Sequence, residues 1–169
     1  MVGGTDTTTT TVEWVMTELM QNPDELREVQ KELTEIVGLN ILVEEFHLPK
    51  LHYLDAVIKE TFRLHPALPL LLPRLPTQST TIGGYNIPKG SSVFLNIWAN
   101  QRDPSVWNRL PLAERTLIYV LASFLHSFEW RLPYGTNLDL SERFGVVTRK
   151  MTPLVAIPTP RLSKLELYA

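Results

Sequence analysis

The length and composition of the chain indicate one globular domain of ordinary size. It has 169 residues, of which 44% are hydrophobic and 20% charged, a mixture typical of folded proteins and not of disordered ones. A net charge of -2 with scattered basic residues excludes the electrostatic footprint of a nucleic-acid-binding protein. The absence of cysteine excludes disulfides and thiolate sites, and no apolar run is long enough to cross a bilayer.

The first two helices are predicted from apolar spacing and from a start signal between them. The threonine run Thr7–Thr11 weakens the first helix, because β-branched side chains lose rotamer freedom there. Apolar residues nevertheless follow at helical spacing, which predicts a helix over Thr5–Gln21. A second helix is predicted to begin with Asn22 as its cap and Pro23 at its first position, and Glu25 can complete a capping box. Gly38 is predicted to end this helix.

The remaining elements are predicted from periodicity and from turn residues. A third helix has the spacing of an apolar stripe and ends at Pro66, and Gly83-Gly84 marks a hairpin between two short strands. The predicted ranges are helices 51–65, 96–102 and 111–128, and strands 80–82, 85–87, 92–95, 146–148 and 155–157. The fold class that follows is mainly α with small β-sheets, an α+β mixture.

Two local patterns could carry chemistry, and each has an ordinary structural explanation. Glu60 and Arg63 share one face of a predicted helix. If the pair is buried, it is expected to have a specific role. If it lies on the surface, it contributes only a few tenths of a kcal/mol to stability. Two glycines before Thr5-Asp6-Thr7 permit close approach of a ligand and a proton relay through Asp6, or simply a loop with a helix cap. No histidine pair has metal-ligand spacing on a helix, so no metal site is predicted.

The order and spacing of these patterns resemble the cytochrome P450 family. The series consists of Gly3-Gly4-Thr5-Asp6-Thr7, Asn22-Pro23, Lys59–Pro66, Pro73-Arg74, Gly84–Gly90 and Arg102–Trp107. Residues 111–115 and 126–130 resemble the family's helix after the haem loop. The match covers essentially the whole chain. The chain is similar to plant microsomal members of the family that hydroxylate geraniol-like terpenoids or phenolics. The resemblance implies a partial cytochrome P450 fold.

The resemblance implies a haem cofactor and a set of residues around it. Thr7 would hydrogen-bond iron-bound dioxygen or its water, Asp6 would supply protons, and Arg74 would pair with a haem propionate. The Glu60–Arg63 pair would lock the core beneath the haem. The further implied positions are Gly3 and Gly4 at the cofactor, and Leu68, Leu70, Leu71 and Val146 at the substrate.

The resemblance also implies partners and a location for the family. A small apolar substrate and a reductase are the expected partners, and nucleic acid is not one. Family members lie at the endoplasmic reticulum membrane, but this chain has no membrane segment that would place it there.

The chain departs from the family pattern after Trp107. Asn108-Arg109 leads directly into Leu110-Pro111, where the family has a further arginine motif and the loop that carries the axial cysteine. Residues 1–169 are therefore interpreted as one incomplete domain, the C-terminal half with an internal deletion near residues 107–110. A motif beginning at residue 3 likewise indicates truncation.

The missing cysteine leaves three interpretations of the function open. The first is part of a haem monooxygenase, inactive as this chain because its thiolate is absent. The second is a non-catalytic remnant whose unpartnered apolar faces cause aggregation. The third is an interaction module that binds another protein through those faces.

Overall fold

The part of the chain that the structure describes is helix-rich with three small sheets, in agreement with the predicted mainly α fold with small β-sheets. A computed structural model describes residues 2–103 and 114–168, so the predicted start of the last helix at Pro111 and the junction near 107–110 lie outside the described residues. Within the described ranges, no helix combines the length and apolar character that crossing a membrane requires. The elements are α1 (Val2–Gln21), α2 (Pro23–Ile36), α3 (His52–Leu64), β1 (Thr80–Ile82), β2 (Tyr85–Ile87), α4 (Ile97–Asn100), α5 (Glu114–Ser127), β3 (Phe128–Arg131), β4 (Glu142–Arg143), β5 (Arg149–Lys150) and β6 (Ile157–Pro160). Short 3-10 helices span Leu48–Lys50 and Leu165–Tyr168.

One hydrophobic core lies among the four long helices α1, α2, α3 and α5, which pack against one another. Leu33 on α2, Ile58 on α3 and Leu121 on α5 are fully buried there. Each such side chain stabilises the fold by about 1.5–3 kcal/mol through removal of apolar surface from water. The apolar stripe predicted for α3 therefore faces this core, whereas Phe124 of α5 is exposed.

Helix α1 accommodates its threonines by bonding their hydroxyls to the helix backbone. Thr9, Thr11 and Thr17 each donate to the carbonyl oxygen four residues earlier, at 2.8, 2.8 and 2.7 Å. These bonds satisfy the hydroxyls without a partner outside the helix. The helix begins at Val2, three residues before the predicted start at Thr5.

The start of α2 is confirmed at Pro23, but the predicted capping box is wrong. The Asn22 side chain donates to the carbonyl oxygen of Glu18 at 2.9 Å instead of capping α2. The Glu25 carboxylate accepts a hydrogen bond from the Tyr53 hydroxyl of α3, and this bond raises the pKa of Tyr53 to about 12. The helix ends before Gly38, whose φ of +83° is the left-handed conformation expected after a helix.

The sheets are all two-stranded and antiparallel. β1 and β2 form the predicted hairpin, with Thr80 opposite Ile87 and with Gly83 and Gly84 at φ of +56° and +85° in the turn. β3 pairs with β6, so that Phe128 lies opposite Pro160, and β4 pairs with β5. The C-terminal part of the chain thereby returns to the end of α5.

Several predicted short strands are displaced or absent. Segment 92–95 makes only a bridge, in which the backbones of Val93 and Arg74 exchange two bonds of 2.9 Å. Segment 146–148 is not a strand, because β5 begins at Arg149, and the strand predicted at 155–157 is β6 at Ile157–Pro160. The predicted last residue of α5, Phe128, already belongs to β3. Strand position depends on the pairing partner more than on local pattern, which explains these errors.

Candidate functional site

A cavity of about 950 Å3, called here the large cavity, lies beside the loop that follows α3. Its apolar wall includes Leu70, Leu71 and Val146, three of the four side chains that the sequence predicted to line a substrate site, together with Phe94 and Phe144. This volume is within the range of about 300–1,000 Å3 that is usual for small-molecule sites. The remaining lining residues are Glu18, Leu64, His65, Pro69, Pro73, Asn96, Trp98, Arg102, Glu142 and Gly145.

The polar wall of the large cavity is organised by His65. Its Nε2 lies 2.8 Å from Oε1 of Glu18 on α1, and its Nδ1 lies 2.7 Å from Oε1 of Glu142 on β4. Carboxylate oxygens only accept hydrogen bonds, so a ring that donates from both nitrogens satisfies both. The ring stacks on Trp14, with centroids 3.7 Å apart and planes 3° from parallel. His65 therefore connects α1, the end of α3 and β4.

Arg102 completes this wall, and a second cation, Lys150, lies behind it against the Trp14 ring and does not line the cavity. The Arg102 guanidinium donates to the carbonyl oxygen of Leu64 at 2.7 Å and lies 4.0 Å from the centroid of the Trp98 ring. Lys150 Nζ lies 4.7 Å from the centroid of the Trp14 ring. Burial lowers the pKa of both Arg102 and Lys150, and the nearby carboxylates oppose that shift. An apolar pocket with one charged, hydrogen-bonded end can hold and orient a small molecule.

A second cavity of about 200 Å3, called here the small cavity, lies beside the threonines of α1. Gln101 lines it and is 3% exposed, and its Oε1 has no hydrogen-bond partner among the described residues. Leu71 borders both cavities and has a φ of +50°, a left-handed conformation that is unusual for leucine. The other lining residues are Thr7, Thr8, Thr11, Phe62, Pro66, Ala67, Leu68, Ile97 and Leu117.

The residues of the predicted oxygen-side motif begin α1. Gly3 and Gly4 lie in the first turn, and Thr7 lines the small cavity. Asp6 is paired with Arg149 of β5, its Oδ2 2.8 Å from Nη2, and both side chains are well exposed to solvent. Thr7 and Leu68 therefore share the small cavity, whereas the Asp6 carboxylate is held by a distant strand that the sequence did not indicate.

Glu60 and Arg63 form the predicted pair at the protein surface. Arg63 donates from Nε and Nη2 to the two carboxylate oxygens of Glu60, at 2.8 and 2.5 Å. This bond lowers the pKa of Glu60, whose side chain is 51% exposed against 31% for Arg63. Arg74 has an exposed side chain and contacts Val93 only through its backbone. None of these three residues lines either cavity.

Sequence reasoning did not identify four polar residues that line the cavities. Local sequence pattern gives no indication that His65, Glu18, Glu142 or Gln101 lines a cavity. Glu142 is 77 residues from His65, so no spacing rule connects them. A polar residue such as Gln101 in a short helical segment carries no sign of burial, because its neighbours set its exposure.

The described residues do not fit the haem that the sequence resemblance implies. The chain has no cysteine to supply a thiolate. Among the described residues that line the small cavity beside Thr7 there is no histidine, and its 200 Å3 lies below the usual range for small-molecule sites. His65 has both ring nitrogens bonded to carboxylates, and the Nε2 of His126 is bonded to the carbonyl oxygen of Gly38. No described group of three or more histidine, aspartate or glutamate side chains is arranged to hold a metal ion.

Comparisons with known proteins place these observations in a family. The cytochrome P450 family model matches residues 1–109. A flavonoid 3',5'-hydroxylase of Crocosmia x crocosmiiflora is 38% identical and matches 96% of this chain and 39% of its own length. Geraniol 8-hydroxylase of Catharanthus roseus is 38% identical over 94% of this chain and 40% of its own length. Tryptamine 5-hydroxylase of Oryza sativa subsp. japonica is 42% identical, over 90% and 37%. The chain thus spans about two fifths of the length of these relatives.

Solved structures give the same result for the fold. A zebra fish cytochrome P450 structure with abiraterone superimposes with a TM-score of 0.83 at 31% identity, covering 94% of this chain and 44% of that one. A second zebra fish cytochrome P450 structure, with progesterone, gives a TM-score of 0.79 at 30% identity, with 94% and 43% covered. The described architecture is therefore a partial form of that fold.

Proposed function

Because this chain belongs to the cytochrome P450 family, we propose that it is part of a haem-dependent monooxygenase that hydroxylates small apolar molecules of the terpenoid or phenolic type, and that it is inactive as this chain. The observation that carries the proposal is the large cavity, whose apolar wall holds Leu70, Leu71 and Val146. The relatives support it, since those described above are named as hydroxylases of a flavonoid, geraniol and tryptamine.

The residue roles implied by the family belong to the same proposal. In a protein that supplies the missing cysteine, Thr7 and Asp6 serve the oxygen side, and Arg74, Gly3 and Gly4 the cofactor. In this structure Oδ2 of Asp6 accepts a hydrogen bond from Nη2 of Arg149 at 2.8 Å. A reductase as partner and a location at the endoplasmic reticulum membrane apply to that longer protein.

The inactivity of this chain is proposed from the missing sulfur ligand. The family's thiolate pushes electron density toward bound oxygen and favours cleavage of the O–O bond. The family match ends at residue 109, and the alignment with the flavonoid hydroxylase extends over 205 positions, more than the 169 residues of this chain. The relative therefore has residues inside the aligned region that this chain lacks, which supports an internal deletion near 107–110.

Spectroscopy of the purified chain tests the inactivity. The chain is mixed with haem, reduced and exposed to carbon monoxide, and the absorption spectrum is recorded. We expect no thiolate-type signature, because no residue can supply the ligand. A thiolate-type spectrum would overturn this part of the proposal.

A chimera tests the family activity separately. Residues 1–109 and 110–169 replace the corresponding parts of geraniol 8-hydroxylase, with that enzyme's own cysteine-bearing segment kept between them. We expect a thiolate-type spectrum and hydroxylation of an apolar substrate, whereas the matched chimera without the inserted segment shows neither. A folded, haem-loaded chimera that hydroxylates no terpenoid or phenolic would contradict the proposed function.

A further inference from the structure

A surface groove of about 710 Å3, called here the acidic groove, lies between segment 43–49 and α5. It shares no lining residue with the large cavity or the small cavity. Its apolar lining comes from Val43, Phe46, Pro49 and Tyr119. Phe46 is 60% exposed and Tyr119 is 42% exposed, so two aromatic rings are left in water at this place. Aromatic side chains are enriched where proteins bind one another, and they contribute most of the binding free energy there.

The backbone that carries Phe46 is held in place by the buried residue His47. The His47 side chain is 3% exposed, and its Nδ1 accepts a hydrogen bond from the backbone N–H of Glu44 at 3.0 Å. In return, the backbone N–H of His47 donates to the carbonyl oxygen of Glu44 at 3.0 Å. The centroid of the Phe46 ring lies 4.1 Å from that of the His47 ring. Because the groove is ordered in this way before association, a partner that binds it loses less conformational entropy.

The charged residues that line the groove are both acidic. Glu44 and Glu45 are exposed, and neither is in an ion pair among the residues that the structure describes. By contrast, Asp24, Glu28 and Asp55 each pair with a basic side chain of their own helix. Two unpaired carboxylates beside an aromatic surface attract positively charged partners and repel negatively charged ones.

We propose that the acidic groove is a docking site for a positively charged segment of a partner protein, in which a leucine-like side chain packs against Phe46 and Tyr119 while flanking lysine or arginine side chains pair with Glu44 and Glu45. The apolar lining selects the central side chain, and the carboxylates select the charge of its flanks. A segment with acidic flanks is rejected, because like charges would meet at the same two positions. The site uses no residue of either cavity and needs no haem, so it goes beyond the proposed monooxygenase function.

A model peptide tests the proposed chemistry. Fluorescence anisotropy measures binding of a labelled peptide in which two leucines stand between two pairs of lysines. We expect saturable one-to-one binding to the chain as it is, with an affinity that falls as the salt concentration rises. The peptide with glutamate in place of lysine should not bind, and the peptide with serine in place of leucine should bind about tenfold more weakly.

Two variants separate the apolar contact from the charges. Phe46→Ala should lower the affinity for the peptide about tenfold and leave its salt dependence unchanged, because only the apolar contact is removed. The double variant Glu44→Gln, Glu45→Gln should weaken binding at low salt and remove most of the salt dependence. Both changes are at exposed positions, which tolerate substitution with little effect on stability.

Matched variants outside the groove serve as controls. Tyr134→Ala removes an exposed aromatic side chain, and Glu35→Gln with Glu166→Gln removes two exposed carboxylates, so neither should change the affinity. If Phe46→Ala does not fold, Tyr119→Ala gives the same comparison. Absence of saturable peptide binding, or equal losses in groove and control variants, would overturn the inference. Self-association that Phe46→Ala abolishes, in a chain that binds no peptide, would overturn it in favour of a second copy.

Discussion

His65 joins parts of the chain that are far apart in sequence. Its two ring nitrogens contact carboxylates of α1 and β4 at 2.8 and 2.7 Å, while its face lies against Trp14. Side-chain exposures of 12% for His65, 20% for Glu18 and 22% for Glu142 show that water screens these bonds only in part. One side chain thus holds the polar end of the large cavity together.

Removing the hydrogen bonds of His65 while keeping its ring stacking should destabilise the fold. We expect His65→Phe to lower the free energy of unfolding by about 2 kcal/mol, because Glu18 and Glu142 lose a partner in a partly buried place. Urea denaturation measures the change. His52→Phe, at an exposed position, is the matched control and should stay within about 0.5 kcal/mol of the original chain. An unchanged midpoint for His65→Phe would show that the two contacts contribute nothing.

Contacts between residues of one short motif could be predicted from the sequence, whereas contacts between residues that are distant in the sequence could not. The Glu60–Arg63 pair follows from a spacing of three on a helix, and the structure contains it. The pairing of Asp6 with Arg149 connects residues 143 positions apart, and no local pattern encodes it. Gln101 is buried and shares the lining of the small cavity with residues of α1 and α5, and local periodicity does not indicate this.

Among the elements, α1 shows how tertiary packing overrides propensity. Its threonine run disfavours a helix, yet the helix is complete from Val2, because Val15 and Leu19 are buried against α2, α3 and α5. The ends of α2 and α3 were predictable to within about one residue each, since both helices have a clear apolar stripe and a proline or glycine at an end. The short strands were not, because a segment of two to four residues has too few side chains to specify its partner.

Replacing an exposed threonine of α1 should stabilise the helix. We expect Thr9→Ala to raise the free energy of unfolding by about 0.5 kcal/mol, because alanine has the higher helix propensity and the lost hydroxyl bond is exposed to water. Thermal and urea unfolding measure it. Thr17→Ala, at a fully buried position on the same helix, should instead destabilise by about 1–2 kcal/mol through the lost bond and contacts. If both variants moved in the same direction, burial would not be the deciding factor.

Viewed as a whole molecule, the protein buries one core and leaves many large apolar side chains in water. Near the large cavity these include Leu72 at 61%, Leu75 at 66%, Phe144 at 76% and Val146 at 71% exposure. Large apolar side chains that are exposed to water favour association between proteins when they lie together on the surface. The described fold therefore carries a tendency to self-associate alongside its capacity to bind small molecules.

Adding charge to this surface should reduce self-association. We expect the original chain to form larger species as its concentration rises, and the double variant Leu72→Lys, Leu75→Lys to shift toward monomer. Sedimentation velocity over a concentration series measures the distribution. Thr77→Lys with Gln78→Lys adds the same charge in the same segment without removing apolar surface. A concentration-independent monomer for the original chain would contradict the expectation, and equal effects of the two pairs would assign the change to charge alone.

Leu71 lines both the large cavity and the small cavity. Its backbone has a φ of +50°, a left-handed conformation that leucine seldom adopts. A ligand in one cavity that displaces the Leu71 side chain would reduce the volume of the other cavity. By thermodynamic linkage, each guest then alters the affinity of the other by the same factor. Molecules of quite different size would compete for the protein without ever touching.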